Sequence, residues 1–266
     1  MKDAKISPFD LGFTRGYAVT EVLRSYNGKI FLFDEHWTRL KKAVKALRLN
    51  LRETKEEVKD IMLKLMDKNK CKNANIKLVL SPGIGKTDLD IGSDETLFLY
   101  AQKYIDYPKE CYIKGVKLMS VDFKRNLSEV KSSDYIQAVC LREKLKKQKA
   151  FEMLYILNGY VTECSTSNIF MIKKGVLITP KKDVLFGVTR NFVVDFAKKV
   201  MKVVEKDVKI SELLKADEVF ITATSKQIIP VVKIDNHIIN SGKVGKNTTM
   251  LQDLFVKNRD KCLGVD

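Results

Sequence analysis

Two hydrophobic periods alternate along the first hundred residues. Residues 20–25 and 29–33 are apolar or β-branched runs joined at Asn27-Gly28, a pair that tolerates the positive φ of a tight turn, which predicts a β-hairpin. Asp34 reads as the cap of a helix over 35–47, with apolar residues at 37, 40, 44 and 47 on one face. A second amphipathic helix fits 55–68, where Val58, Ile61, Met62 and Leu65 share a face, and strands fit 74–80 and 96–103. Around Tyr107-Pro108 and Gly115 the pattern weakens, so 106–115 is expected to link a domain of 1–105 to one of 116–266. Beyond it the pattern predicts strands at 116–123, 153–157, 167–173, 176–179 and 218–222, with helices at 133–147, 189–203 and 248–258. Mixed strands and helices in two lobes predict an α+β fold rather than a parallel βαβ sheet.

Composition narrows the class. With 45% hydrophobic and 31% charged residues, the chain has the balance of a soluble globular protein. No apolar stretch reaches the length of a membrane span, and Met1-Lys2-Asp3-Ala4-Lys5 leads into no signal-type run, so a cytoplasmic protein is expected. Cys71, Cys111, Cys140, Cys164 and Cys262 are scattered, which argues against a disulfide frame or a zinc cage, and with two histidines no metal site is expected. The net charge of +16 raises the possibility of nucleic acid. The lysines, however, are spread along nearly every segment and interleaved with acids, as in Arg52-Glu53-Thr54-Lys55-Glu56-Glu57, which reads as a solvated surface rather than a binding stripe.

Several segments could carry chemistry. Gly83-Ile84-Gly85-Lys86-Thr87 is not a phosphate loop, because Leu80 stands where that motif needs glycine and Asp88-Leu89-Asp90 does not read as a helix. His36 and His237 are far apart and no nucleophile elbow exists, which disfavours a serine hydrolase; His36 is expected to be a local hydrogen-bonding residue. Lys131 precedes Ser132-Ser133-Asp134-Tyr135, and a lysine that forms an imine must sit where its neutral form can attack. Glu163 lies in Asn158-Gly159-Tyr160-Val161-Thr162-Glu163-Cys164-Ser165-Thr166-Ser167-Asn168, one acid beside small hydroxyl residues that let backbone approach a ligand and can reach phosphate. Gly187-Val188-Thr189-Arg190 opens a helix and so offers an anion site. Thr222-Ala223-Thr224-Ser225 is a second hydroxyl-rich strand end.

Taken in order, these segments resemble the class IV aminotransferase family, fold type IV of the pyridoxal-phosphate (PLP) enzymes, over nearly the whole chain. The resemblance is carried by Ser7-Pro8-Phe9-Asp10-x-Gly12-Phe13-x-x-Gly16, Glu21-x-x-Arg24, His36-x-x-Arg39-Leu40, Lys131-x-x-x-Tyr135, Glu163-x-x-x-Ser167-Asn168-Ile169-Phe170, Gly187-Val188-Thr189-Arg190 and Pro230-Val231. It implies a small N-terminal α/β domain, a larger C-terminal pseudo-barrel domain, PLP in the cleft and a homodimer. It also implies roles: Lys131 as the Schiff-base lysine and proton shuttle, and Glu163 paired with the pyridine nitrogen. Arg39, the backbone of Val188 and Thr189 and the Thr224 hydroxyl would hold the phosphate, Tyr135 the phenolic oxygen, with Ser167 and Asn168 lining the cofactor. Glu21, Ser81, Thr222 and Ala223 are the candidate substrate residues.

The chain departs from the family pattern in places. A further N-terminal strand usual in members is absent before Lys2-Asp3, Thr20 replaces a usual aromatic residue, and Ser81-Pro82-Gly83 lacks an arginine many members carry there. The family includes branched-chain and D-amino-acid aminotransferases and aminodeoxychorismate lyase, which makes 4-aminobenzoate and pyruvate for folate synthesis. Glu21 and Gly242-Lys243-Val244-Gly245 favour transamination. Short length, Val161-Thr162-Glu163-Cys164 and Ser81-Pro82-Gly83-Ile84 favour the lyase, which stays as the alternative. A cofactor-free RNA- or ligand-binding protein on this scaffold would need Lys131 or Glu163 to be lost, and both are present.

Overall fold

A computed structural model describes residues 5–87 and 89–265. The chain start at Met1–Ala4, and Asp88 of the 83–92 loop, lie outside them. The chain divides into two compact units, one of Met1–Ile105 with Val130–Asp134 and the other of Asp106–Glu129 with Tyr135–Asp266.

The first unit runs α1 (Leu11–Thr14), β1 (Val19–Tyr26), β2 (Lys29–Ile30), α2 (Phe33–Ala46), α3 (Lys55–Lys68), β3 (Ala74–Ser81) and β4 (Thr96–Lys103). Its strands form an antiparallel sheet in the order β2-β1-β3-β4. The Asn27-Gly28 turn is present, with φ of 49° and 85°, pairing Tyr26 with Lys29. β2 is shorter than its hydrophobic run, because the chain turns at Leu32 (φ 52°) and starts α2 at Phe33. Asp34 is therefore not the cap; it lies in the first turn and pairs with Lys55 at 2.9 Å. In α3, Thr54 and Glu57 form a capping box, and Val58, Met62 and Met66, four residues apart, are buried with Leu40, Val44, Leu23, Ile76 and Leu78.

The second unit runs α4 (Lys109–Ile113), β5 (Val116–Asp122), α5 (Ile136–Cys140), α6 (Arg142–Lys147), β6 (Glu152–Leu157), β7 (Tyr160–Cys164), β8 (Asn168–Lys173), β9 (Val176–Thr179), α7 (Val188–Ala197), β10 (Val203–Glu205), β11 (Val208–Lys209), α8 (Ile210–Leu213), β12 (Glu218–Ala223), β13 (Gln227–Ile234), β14 (His237–Ile238), a 3₁₀ turn at Asn240–Gly242 and α9 (Lys246–Leu263). Its ten strands make a mixed sheet, ordered β10-β9-β8-β12-β13-β5-β6-β7-β11 with β14 on β13, that curls into half a barrel. The α+β class is as the pattern predicts.

Several boundaries differ from the periodicity, for identifiable reasons. The helix expected over 133–147 is two short helices broken at Leu141, and it starts after Tyr135 because the preceding segment is extended along β1. There Thr20 N–H donates to Lys131 O at 2.8 Å and Ser133 N–H to Ala18 O at 3.0 Å. The helix expected over 189–203 ends at Ala197, and Val203-Val204 pair parallel with β9 instead. β7 and β13 are strands where the pattern shows a turn and nothing, respectively. Pro230 argues against an interior strand, and it sits just before the register shift between Val231 and Lys233 where β13 pairs with β5.

Phe170 and Phe220 face each other across β8 and β12, both fully buried, with rings stacked 4.9 Å apart. Phe220→Ala is expected to cost about 3–5 kcal/mol through lost transfer energy and the cavity left behind. Denaturant unfolding of the purified variant checks it, as a lowered midpoint at unchanged slope.

Candidate active site

In the first unit the fold brings Glu21, His36 and Arg39 together. Glu21 on β1 pairs in register with Leu78 of β3 and points inward with 1% exposure. Phe33 to Ala46 form a helix across it, so residues 36 and 39, three apart, share the face above the carboxylate. Arg39 donates from Nε to Glu21 Oε1 (2.8 Å) and from an Nη to Oε2 (2.7 Å), while His36 Nδ1 lies 2.8 Å from Oε2. Burial alone would raise the Glu21 pKa, but the Arg39 charge and hydrogen bonds, with His36, outweigh it and hold it at about 2. Burial pushes His36 below its ordinary value against the opposing Glu21 contact, with the charges of Arg39 and Lys131 adding. The His36 partner is thus fifteen residues away rather than local. Lys131 is half-buried, on the segment whose carbonyl is held by Thr20, next to Glu21 on β1. Ser81 is buried at the end of β3 and its hydroxyl is committed to Asp10 Oδ2 at 3.0 Å.

In the second unit Glu163 lies on β7, 5% exposed. Its Oε1 accepts from Arg125 Nε at 2.9 Å and its Oε2 from Leu185 N–H at 3.0 Å. The Leu185 carbonyl accepts from Asn168 Nδ2 at 2.7 Å. Asn168 in turn abuts Gly187, where a Cβ would stand 2.2 Å from Asn168 Oδ1, so this position requires glycine. Gly187 caps α7 with extended backbone and no side-chain acceptor, leaving the N–H groups of Val188 and Thr189 directed outward from the helix start. Thr222, at the end of β12, is 1% exposed, and its hydroxyl has no hydrogen-bond partner among the described residues. Ala223 and Thr224 follow, half-buried, in the turn to β13. Tyr135 is half-buried immediately before α5.

Ser167 is placed differently from a ligand-facing hydroxyl. Its Oγ donates to Glu152 Oε2 at 2.8 Å and also receives Lys226 Nζ at 2.8 Å. Arg125, Glu152 and Lys226 are buried partners that the sequence reasoning missed. No local signal marks them, since Lys226 is one cation among 49 Lys and Arg and Arg125 stands in the plain bend Lys124-Arg125-Asn126.

A buried acid and an uncapped helix start, joined through 185–187, suit a ligand bearing a ring cation and a dianion. The unpartnered Thr222 hydroxyl is a further donor awaiting an acceptor. Pyridoxal phosphate has both groups, so the residues present fit it. Among the described residues no cluster of His, Cys, Asp and Glu could hold a metal ion, and no helix is long and apolar enough to cross a membrane.

Because Glu21 titrates near 2 when folded against an ordinary 4.5, the unfolded chain binds the proton first as pH falls. Its contribution is complete above about pH 4.5 and is lost as pH drops through about 2, amounting to about 3 kcal/mol. Glu21→Gln should flatten that part of the stability curve measured by denaturant unfolding; an unchanged slope would contradict it.

Comparison with known proteins agrees with this geometry. The sequence model of amino-transferase class IV matches residues 18–234. A Methanocaldococcus jannaschii protein, provisionally named a branched-chain-amino-acid aminotransferase, is 35% identical over 98% of this chain and 93% of its own length. The D-alanine aminotransferase of Listeria monocytogenes is 31% identical over 99% of this chain and 94% of its own. A branched-chain amino acid aminotransferase from the organism abbreviated T.th., solved with pyridoxamine 5′-phosphate, superposes with a TM-score of 0.90 at 25% identity, over 100% of this chain and 92% of that one. This chain belongs to the class IV aminotransferase family.

Proposed function

We propose that this protein transfers the amino group of an amino acid to a 2-oxo acid with pyridoxal 5′-phosphate, carried on Lys131. The observation that carries the reading is the connection Glu163–Leu185–Asn168–Gly187, which fixes a buried carboxylate relative to an uncapped helix start. When bound, the cofactor supplies the electron sink that makes the substrate Cα–H bond labile. Lys131 holds it through the side-chain amine and moves the proton on and off the substrate Cα. Glu163 keeps the pyridine nitrogen protonated, and Arg125, bonded to its other oxygen, orients the carboxylate. The N–H groups of Val188 and Thr189 and the Thr224 hydroxyl bind the phosphate. Arg39 adds its remaining Nη, since Nε and the other Nη are held by Glu21. Tyr135 bonds the phenolic oxygen, and Asn168 braces the segment between ring and phosphate.

Substrate contacts are proposed at Glu21, Thr222 and Ala223, with Ser81 acting through Asp10 rather than directly. Aliphatic amino acids are the substrate class, as the relatives' names suggest. Exposed Phe9 and Phe13 around α1 in one unit, and Ile136 and Val139 on α5 in the other, support a homodimer as the working form.

Purified protein loaded with cofactor should form glutamate and a 2-oxo acid from 2-oxoglutarate and a branched-chain L-amino acid or D-alanine. Release of 4-aminobenzoate and pyruvate from aminodeoxychorismate, with no amino-group transfer to any 2-oxo acid, would overturn the reading in favour of the lyase. Lys131→Ala should lose the visible absorption of bound cofactor and about 10²–10⁴-fold in kcat. Retention of both would assign the role to another lysine.

A further inference from the structure

Lys226 stands in the turn between β12 and β13, a place where lysines ordinarily extend into water. Here it is 4% exposed. Its Nζ donates to Glu152 Oε2 (2.8 Å), Thr166 Oγ1 (2.5 Å) and Ser167 Oγ (2.8 Å), and sits 5.8 Å from the centre of the Phe151 ring. Glu152, on β6 and 3% exposed, collects further donors from Thr166 N–H (2.5 Å), Thr166 Oγ1 (2.8 Å) and Ser165 Oγ (3.3 Å). One carboxylate and one ammonium thus tie the 165–167 loop to the 224–226 turn, and both charges are fully answered inside the cluster.

Two considerations separate this cluster from general stabilisation. A buried ion pair costs much of its attraction in desolvation, so apolar side chains would stabilise the same space as well. What an ion pair with hydroxyl partners adds is a single geometry, since each donor has a fixed acceptor. The segments it fixes are the ones beside ligand-facing groups. Lys226 is two residues from Thr224, and its own N–H bonds Ala223 O at 3.0 Å. Ser167 precedes Asn168, whose amide holds Leu185 and crowds Gly187 at the start of α7.

We infer that Glu152 and Lys226 are positioning residues that set the 222–226 turn and the Asn168-to-Gly187 connection at the spacing needed for the cofactor phosphate. Neither touches the phosphate, because both charges are spent on each other and on Thr166 and Ser167. The inference rests on the phosphate placement proposed above.

The test uses PLP itself and the intact protein. Dissociation constants are measured by equilibrium dialysis for the parent, Lys226→Met, Glu152→Gln and Lys226→Arg, well below each variant's melting temperature, with the ³¹P resonance of bound cofactor recorded alongside. Lys226→Met and Glu152→Gln are expected to weaken PLP binding by about 10–100-fold, the range seen when groups orienting a ligand's direct partners are removed. They should also shift or broaden the ³¹P signal, and Lys226→Arg should restore most of the affinity. Lys173→Met, which breaks the exposed pair with Asp217, should change neither reading. If Lys226→Met does not fold, Glu152→Gln/Lys226→Met, which leaves no unpaired buried charge, carries the same expectation. Variants that bind PLP as tightly as the parent with an unchanged ³¹P signal would overturn the inference. A parent that fails to bind PLP would instead overturn the function proposed above.

Discussion

A carboxylate taken out of water must be given donors in return, and that constraint organises this molecule at several points. Asp10 accepts from Gly12 N–H, Ser81 and Thr96 and so fastens α1 to the ends of β3 and β4. Glu218 accepts from the backbone and side chains of Asn247 and Thr248 and so starts α9, where negative charge also suits the helix dipole. Glu21, Glu152 and Glu163 obey the same rule, but their donors are Arg39, Lys226 and Arg125, cations brought from distant parts of the chain. Removing any one of these donors would leave a buried charge unanswered, which is far more costly than losing a surface pair.

The consequence for chemistry is preorganisation. Glu163 does not have to be collected when a ligand arrives, because Arg125 and the Leu185 N–H already hold it. The Leu185 carbonyl then passes that order through Asn168 to the start of α7, where the helix's first N–H groups face outward without a cap. Glu21 plays a corresponding part in the first unit. Its low pKa keeps it ionised at any physiological pH, so Arg39 is held in one orientation with one Nη left over. Donors that need no rearrangement at the moment of binding are what allow a dianion and a ring cation to be bound in fixed register.

The long amphipathic elements were legible in the sequence, because their periods were imposed by one buried face: α3 and β4 fall on their predicted bounds, as does β9. The failures have a common origin in tertiary pairing. The segment before Tyr135 carries helix-compatible residues, yet its backbone is taken up by Ala18 and Thr20 on β1. β7 hides behind hydroxyl residues that suggest a turn, and β13 behind a proline. Among candidate site residues, those inside ordered motifs such as Glu163-x-x-x-Ser167-Asn168 and Gly187-Val188-Thr189 could be singled out from spacing. Arg125, Glu152 and Lys226 could not, since their partners lie 38 or 74 residues away and nothing in a local window distinguishes a lysine that turns inward. Even a correctly singled-out residue can have its atoms spent elsewhere, as Ser167 shows by bonding Glu152 rather than facing outward.

The central claim is that Lys131, of all the lysines in this chain, carries the cofactor. Borohydride reduction of the PLP-loaded protein followed by peptide mass spectrometry tests it most directly. A single stable pyridoxyl-phosphate adduct is expected, on the peptide containing Lys131. An adduct on another lysine, or no adduct in a protein that remains folded and exposed to the cofactor, would contradict it.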